Sequence, residues 1–185
     1  MNKIPPVDLA RQYQSIQEAT DAAVLQVLRS GYYIGGAAVS DFERQFAEYT
    51  EVEACVACNS GTDALYLALR ALNIGQGDEV ITTPFTFIAT AEAIVLAGAT
   101  PVFVDIEPDS FNIDAEQVEA AITAQTKAVI PVHLFGQPAN LSRLGEIAQS
   151  HHLYLIEDCA QATGAKWQGQ MVGSVGQIGC FSFFP

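Results

Sequence analysis

The chain has 185 residues, of which half are hydrophobic and only 16% are charged. This composition supports one sizeable hydrophobic core and excludes an intrinsically disordered chain. The 8 Lys and Arg residues against 21 Asp and Glu residues give a formal charge of −13, which repels nucleic-acid phosphates and anionic lipids. We therefore expect neither nucleic acid nor a membrane surface as a partner.

The N-terminal stretch and the cysteines indicate a cellular location. The stretch MNKIPPVDLARQYQ lacks the apolar core of a secretory signal, and no stretch is long and apolar enough to span a bilayer. Four cysteines do not form a disulfide framework for a chain of this size. We predict a reducing, cytoplasmic environment.

Two helices are predicted before residue 50. Both rest on apolar residues at helical spacing, and the first is expected to end near Gly31. The residues are Ile16, Ala19, Ala23 and Val27 in the first helix, and Val39, Phe42, Phe46 and Tyr49 in the second. Residues 1–50 are thus predicted to be an N-terminal helical segment.

From residue 52 onward, short apolar runs alternate with helical stretches. The predicted strands are ACVAC, EVITT, TPVFVDI, KAVIPVHLF, LYLIED and IGCFSFF. This rhythm predicts an α/β layer fold, with a mostly parallel sheet sandwiched by helices. Asp114 is a predicted helix N-cap, and GAKWQGQMVGS is a predicted small hairpin.

Ligands of open parallel sheets bind where the strands end at their carboxyl side. We therefore expect a ligand to contact the loops that follow the predicted strand ends, which are at Cys58, Thr83, Asp105, Leu134 and Glu157.

The loop CNSGTDALYLALR follows a predicted strand and opens a helix. Ser60, Gly61 and Thr62 would sit at the helix N-terminus, where N–H groups and the helix dipole favour an anion. The alternative is an ordinary N-cap formed by Ser60 or Thr62, which such a loop needs in any case.

The loop TTPFTFIATAEA carries two aromatic residues, Phe85 and Phe87, to the next strand end. Either ring could stack on a planar ligand, or it could simply pack in the core. Alternation predicts that one of the two faces the core and the other faces the site.

Histidine and cysteine residues suggest further chemistry. His133, in PVHLFGQP, could contact a ligand or be a hydrogen-bonded structural histidine. Cys55 and Cys58 form a CxxC pair, but residues three apart on a strand point to opposite faces. With no second close pair, we predict buried packing for these cysteines and no metal.

The stretch YLIEDCAQATG places Glu157 and Asp158 at the end of an apolar run. A desolvated carboxylate needs a charged or strongly donating partner. For Asp158, one candidate is the protonated ring nitrogen of pyridoxal phosphate, whose electron-sink chemistry needs that charge. Gln161 could then donate to an oxygen on the same ring. The alternative is a structural ion pair or a helix cap.

Together, these stretches resemble the DegT/DnrJ/StrS-type sugar aminotransferases, which are pyridoxal-phosphate enzymes with the aspartate aminotransferase fold (fold type I). The resemblance covers nearly the whole chain, in order. It is carried by SGYYIGG, NSGTDAL, TPFTFIATAEAI, GATPVFVDI, IPVHLFGQPA, LIEDCAQATGA and GSVGQIGCFSFFP.

The resemblance implies roles for individual residues. The cofactor phosphate would be held by the loop at Ser60, by Gly61 and Thr62, and by Ser182. Phe87 would stack on the pyridine ring, Asp158 would pair with its nitrogen and Gln161 with its hydroxyl. Glu92 and His133 would lie near the site, and we take His133 with Asp158 as the catalytic candidates. Tyr33 and Gly35 would lie near the substrate or the neighbouring subunit of a homodimer.

One departure from the family concerns the lysine that forms the Schiff base. In the family it follows the CFSFFP stretch almost at once, whereas here the chain stops at Pro185. The lysines present are Lys3, Lys127 and Lys166, and Lys166 lies in the predicted hairpin. We expect residues 51–185 to be an incomplete cofactor-binding large domain, with the family's C-terminal small domain absent.

The resemblance implies an aminotransferase that moves an amino group from an amino acid, with glutamate expected, to a nucleotide-linked keto-sugar. Such enzymes serve polysaccharide, lipopolysaccharide or antibiotic sugar biosynthesis. One alternative is a dehydratase of the same family, with His in place of the lysine. Another is a non-catalytic or regulatory truncated homologue. A plain nucleotide-binding doubly wound domain would need a glycine-rich first turn that the sequence lacks.

Overall fold

The structure is a computed structural model and describes residues 7–184. Lys3 and Pro185, on which two of the expectations fall, lie outside the described residues. The chain forms two compact units, of which the first ends at Gln45 and the second begins at Phe46. The division into a helical segment over residues 1–50 and a cofactor-binding domain over 51–185 stays a prediction.

Both predicted N-terminal helices are confirmed. Helix α1 (Leu9–Ser30) begins where the Asp8 side chain accepts the Arg11 N–H, and it ends at Gly31 in the left-handed conformation (φ 72°). This is the ordinary pairing of an acidic N-cap with a glycine C-terminus. Helix α2 spans Ala37–Thr50.

The second unit alternates helices with strands, as the apolar runs predict. Its strands are β1 (Glu79–Thr82), β2 (Thr100–Phe103), β3 (Thr126–Val129), β4 (Tyr154–Asp158), β5 (Lys166–Trp167), β6 (Gln170–Met171) and β7 (Ile178–Cys180). Its helices are α3 (Gly61–Ala71), α4 (Ala89–Ala97), α5 (Ala115–Ala120) and α6 (Leu141–His151), with a 3₁₀ turn at Leu134–Gly136. Asp114 caps α5 by accepting the N–H groups of Glu116 and Gln117, as predicted.

Five strands form one sheet in the order β2-β1-β3-β4-β7, and all neighbouring pairs are parallel. The predicted α/β fold with a parallel sheet is therefore confirmed. The antiparallel pair β5–β6 confirms the predicted hairpin.

The sheet separates two hydrophobic clusters, because successive strand residues point to opposite faces. Ile81, Val129 and Leu155 belong to one cluster, together with residues of α5 and α6. Val80 and Ile156 belong to the other, together with residues of α3 and α4. Helices thus cover both faces, as is usual for parallel sheets.

The run ACVAC was predicted to be a strand, and this is wrong. Residues 54–58 adopt no regular strand, and the Val56 side chain is 82% exposed. Cys58 is exposed and Cys55 is half-buried, so the buried packing predicted for this pair is also wrong. An apolar run predicts a buried strand only where other elements cover its side chains.

Candidate cofactor-binding site

The carboxyl ends of β1, β3 and β4 meet at one rim of the sheet. Strand β1 lies between β2 and β3, so the chain changes its direction of winding between β1 and β3. Ligands of doubly wound folds bind at such a switch point. The Thr82 hydroxyl donates to the Ile130 carbonyl (2.8 Å) and so holds the ends of β1 and β3 together.

Asp158 is the last residue of β4, and only 5% of it is exposed. Its Oδ2 accepts a hydrogen bond from the Thr90 hydroxyl (2.9 Å), and its Oδ1 accepts the Ala160 N–H (3.2 Å). Burial raises the pKa of Asp158, and the bonds from Ala160 and Thr90 oppose that rise. A cation at this position would favour the ionised form.

Glu157, the neighbouring residue, is fully buried and points to the other side of the strand. It accepts hydrogen bonds from His133 Nε2 (2.9 Å) and from the N–H groups of Gly173 (2.8 Å), Val175 (2.9 Å) and Gly176 (2.7 Å). Burial alone would raise its pKa, but these donors outweigh burial and the pKa is lowered. Glu157 therefore has its partners inside the protein.

The loop that opens α3, at residues 60–62, lies against a segment that is distant in sequence. Ser60 caps α3 by accepting the Asp63 N–H (3.1 Å), so the N-cap reading of this loop holds. A Cβ added to Gly61 would lie 2.7 Å from the Cβ of Ser182. The N-terminus of α3 therefore lies next to the Ser182 side chain. The two segments can approach this closely only because residue 61 is a glycine.

Phe85 and Phe87 differ in their surroundings. The Phe85 ring lies 5.8 Å from the Phe111 ring between centroids, whereas Phe87 is 72% exposed. Neither ring is buried in the core, so the expectation that one of them faces the core is wrong. Phe87 is available for stacking on a planar ligand, and that role stays a prediction.

Gln161 lies after β4, and its amide is oriented by a neighbouring loop. Its Oε1 accepts the Phe135 N–H (3.0 Å), which turns the NH₂ group the other way as a donor. The predicted donation from Gln161 to a ring hydroxyl needs this orientation.

His133 is fully buried, and both ring nitrogens are engaged. Its Nδ1 accepts the Ala139 N–H (3.0 Å), so the proton lies on Nε2, which donates to Glu157. This geometry favours the structural alternative for His133 over direct contact with a ligand. We therefore regard His133 as support for Glu157.

One His/Glu/Cys cluster in the described part of the chain has metal-ligand spacing. His133, Glu157 and Cys159 bring one ligand atom each within 4.8 Å of one another. However, the His133 Nε2 carries a proton, and burial raises the pKa of Cys159 well above its ordinary value. Metal ligands must be deprotonated, so this donor set suits hydrogen bonding.

Three residues near the rim have contacts or backbone conformations that the sequence did not predict. Thr90 is one, because its bond to Asp158 spans 68 positions. Asn112 is another: its amide donates to the carbonyls of Gln137 (3.0 Å) and Pro138 (3.2 Å) and accepts the Leu134 N–H (3.0 Å). It thereby fixes the loop after β3. An Asn following Pro-Asp-Ser-Phe was the only sequence signal for it.

Phe135 is the third, with a backbone in the left-handed region (φ 54°) and a side chain that is 71% exposed. A bulky residue in this region is uncommon, and such strain is concentrated at functional sites.

For the other predicted site residues, the roles in the site stay predictions. Glu92 is exposed on the first turn of α4. Tyr33 and Gly35 belong to the first unit, where the Tyr33 hydroxyl donates to the Leu28 carbonyl (3.2 Å) and Gly35 has φ 68°. Lys166 lies in β5 and forms an ion pair with Glu51 (3.7 Å).

These features fit a phosphorylated, cationic heteroaromatic cofactor. A buried carboxylate lies at the rim, a helix N-terminus with a crowded glycine lies beside Ser182, and an exposed aromatic ring follows β1. The fold belongs to the α/β class of domains built on an open parallel sheet.

Comparison with known proteins makes this class specific. The model of the DegT/DnrJ/EryC1/StrS aminotransferase family matches residues 14–185, so the chain belongs to this family. Similar solved structures include the PLP-form and the PMP-form of Spr1654 from Streptococcus pneumoniae, each at 36% identity and a TM-score of 0.87, covering 90% of this chain and 46% of Spr1654.

Two curated relatives show the range of names in the family. The chain is 50% identical over 182 residues to a UDP-N-acetyl-3-dehydro-alpha-D-glucosamine 3-aminotransferase of Acidithiobacillus ferrooxidans, covering 98% of this chain and 49% of the relative. It is 48% identical, with the same coverage, to a pleiotropic regulatory protein of Geobacillus stearothermophilus. The chain spans about half the length of the curated relatives it matches.

A solved structure agrees closely with the fold. The crystal structure of DesV from S. venezuelae, in complex with a ketimine intermediate, superposes with a TM-score of 0.97 at 45% identity. It covers all of this chain, which in turn covers 50% of DesV. The fold is therefore that of the fold type I aminotransferases.

Proposed function

We propose that the protein carrying this chain is a pyridoxal phosphate-dependent aminotransferase. It transfers an amino group from an amino acid, with glutamate as the expected donor, to a nucleotide-linked keto-sugar. The observation that carries this proposal is the buried Asp158 carboxylate at the rim of a parallel sheet. The relatives named as nucleotide-sugar aminotransferases support the substrate class.

In this proposal the chain's own residues form the cofactor site. Asp158 would pair with the protonated ring nitrogen and keep it cationic, while the Thr90 hydroxyl holds the carboxylate in place. Phe87 would contact the ring, and Gln161, whose Oε1 accepts the Phe135 N–H, would offer its NH₂ group to the ring hydroxyl.

The phosphate is bound at the other end of the site. Backbone N–H groups at the start of α3, with the Thr62 and Ser182 hydroxyls, would donate to the phosphate oxygens. Gly61 allows the two segments to lie close enough for this. Glu92 is proposed to lie near the cofactor, and Tyr33 and Gly35 are proposed to serve the substrate or the neighbouring subunit of a homodimer.

When bound, the cofactor supplies an electron sink that stabilises negative charge on the carbon losing or gaining a proton. Asp158 strengthens this effect because its negative charge favours the protonated ring. The burial that raises the pKa of Asp158 also strengthens its interaction with a cation, since the local dielectric is low.

The further elements of the proposal are a homodimer and a cytoplasmic location. Among the described residues, no helix has both the length and the apolar character needed to cross a bilayer. Size measurement of the purified complete protein tests the homodimer.

The experiment is a cofactor titration and an activity assay with the complete protein. Pyridoxal phosphate binding is followed by absorbance, and transfer from glutamate to UDP- or dTDP-linked keto-sugars by formation of 2-oxoglutarate. We expect saturable binding and turnover of at least one keto-sugar. Absence of pyridoxal phosphate binding, or binding that Asp158→Asn leaves unchanged, would refute the proposal.

A further inference from the structure

Glu157 concentrates four hydrogen-bond donors on one buried carboxylate. Three of them are backbone N–H groups of a single segment, residues 173–176, and the fourth is His133 Nε2. A carboxylate with several N–H donors is a strong, charge-assisted anchor. The side chain therefore fixes the backbone of this segment to the end of β4.

The anchored segment leads directly into β7 (Ile178–Cys180) and then to Ser182. Gln177, the next residue, continues the attachment: its N–H donates to the Leu155 carbonyl (2.8 Å), and its Oε1 accepts the Leu155 N–H (2.6 Å). Strand β7 then pairs with β4 in parallel, with Cys180 opposite Asp158. Glu157 thus lies at the start of the path that ends at Ser182.

We propose that Glu157 is a positioning residue for the phosphate end of the site. By holding residues 173–176 it sets the register of β7 against β4, and hence the placement of Ser182 beside Gly61. Asp158 acts on the ring end of the cofactor, so two adjacent residues of β4 position opposite ends of one ligand. This inference rests on the proposed function, because its test measures how strongly the phosphate group contributes to cofactor binding.

The role requires the negative charge of the carboxylate. Gln in its place keeps the shape but puts an NH₂ group against N–H donors of the segment or of His133. At least one donor then loses its acceptor, and the segment is no longer fixed. A residue that served only to fill the core would tolerate this change without any preference for the phosphate.

The test compares two ligands that differ only by the phosphate group. Pyridoxal phosphate and pyridoxal are titrated into the complete wild-type protein, Glu157→Gln and Glu146→Gln. Glu146 is the matched control because its side chain on α6 is 70% exposed and its ion pair is with Arg143 rather than with the anchored segment. We expect Glu157→Gln to weaken pyridoxal phosphate binding about tenfold and pyridoxal binding less than twofold.

Either of two results would overturn the inference. One is an equal loss for both ligands, which would indicate a general structural defect. The other is an unchanged affinity for both. Glu146→Gln is expected to bind both ligands as the wild type does.

A second measurement needs no variant and decides the case if Glu157→Gln does not fold. Coupling between sites is reciprocal, so phosphate at Ser182 should in turn stabilise the anchored segment. With inorganic phosphate as the probe, we expect the amides of Gly173, Val175 and Gly176 to gain hydrogen-exchange protection along with Ser182. Protection at Ser182 alone would contradict the proposal.

Failure of the proposed function can be distinguished from failure of the positioning role of Glu157. A wild-type protein that binds neither pyridoxal phosphate nor pyridoxal refutes the function. Whether Glu157 positions Ser182 is then read from the backbone amide signal of Ser182, which Glu157→Gln should shift and Glu146→Gln should not. An unshifted signal in Glu157→Gln would refute the positioning role by itself.

Discussion

The Thr90 hydroxyl donates a hydrogen bond of 2.9 Å to Oδ2 of Asp158, joining residues that are 68 positions apart. Thr90 lies in the first turn of α4 and Asp158 at the end of β4, and both are buried. The bond fixes the carboxylate relative to the loop that carries Phe87. It also lowers the pKa of Asp158 against the larger effect of burial, which raises it.

Thr90→Val should therefore weaken cofactor binding. Valine keeps the shape but removes a donor to a charged group, which corresponds to about 1.5 kcal/mol, or roughly tenfold in affinity. Without the donor the pKa of Asp158 rises further, so the acidic limb of the binding–pH profile should move to higher pH. Thr90→Ser, which keeps the hydroxyl, is the control and should restore both values; a profile identical to wild type in Thr90→Val would contradict this role.

Asp158→Asn should abolish most activity of the complete protein while retaining its fold. Asn can still accept the Ala160 N–H and donate to the Thr90 hydroxyl, but it cannot keep a ring nitrogen cationic. We expect a loss of ~10²-fold or more in kcat. The exposed Asp109→Asn serves as the control and should keep wild-type kinetics. An unchanged rate in Asp158→Asn would refute the assignment.

The two adjacent carboxylates should affect the stability of the cofactor-free protein in opposite directions. Burial raises the pKa of Asp158 above its ordinary 3.8, so its ionisation reduces stability as pH rises from 3.8 through the raised pKa. Asp158→Asn should therefore raise the melting temperature at pH 7, and this gain should vanish below about pH 3.8.

Glu157 has a lowered pKa because its donors outweigh burial, and its contribution is fully present above its ordinary pKa of 4.5. It is lost as pH falls below 4.5 through the lowered pKa, so Glu157→Gln should melt at lower temperature at pH 7. Thermal unfolding of both variants and wild type across pH 3–8 is the measurement. If both variants changed the melting temperature at pH 7 in the same direction, the two carboxylates would not have opposite effects on stability.

Gly61→Ala should disrupt the phosphate end of the site. The new methyl group would lie 2.7 Å from the Ser182 Cβ, and overpacking of this kind costs about 1–3 kcal/mol. Affinity for pyridoxal phosphate should fall, and the double variant Gly61→Ala/Ser182→Gly should recover stability but not affinity. Gly145→Ala is the control, because a Cβ at that helix position meets nothing within 4 Å. It should be neutral or stabilising.

Much of the fold could be predicted from the sequence. Alternating apolar runs and helical periods indicated the parallel sheet, because such runs need cover on both faces. The Asp114 cap and the β5–β6 hairpin could be predicted because they depend on neighbouring residues only. The run at 54–58 was misread, since an apolar pattern does not show whether anything covers it.

The site was predictable only in part. Asp158 was indicated by its place at the end of an apolar run, where an acidic side chain needs a partner. Thr90 and the partners of Glu157 were not, for a physical reason. A hydroxyl 68 positions away and the backbone N–H groups of residues 173–176 leave no pattern in the local sequence. The left-handed Phe135 was likewise hidden, since Phe is not a residue that this conformation favours.

The segment after the hairpin also limits how this protein can vary. A Cβ added to Gly176 would collide with the Leu155 carbonyl oxygen, and one added to Gly179 would collide with the Gly173 Cα. A Cβ added to Gly169 would meet only open space. Saturation mutagenesis should therefore find positions 176 and 179 nearly invariant. The tip of the hairpin, by contrast, is where an epitope tag or a fluorescent label could be inserted without disturbing the architecture.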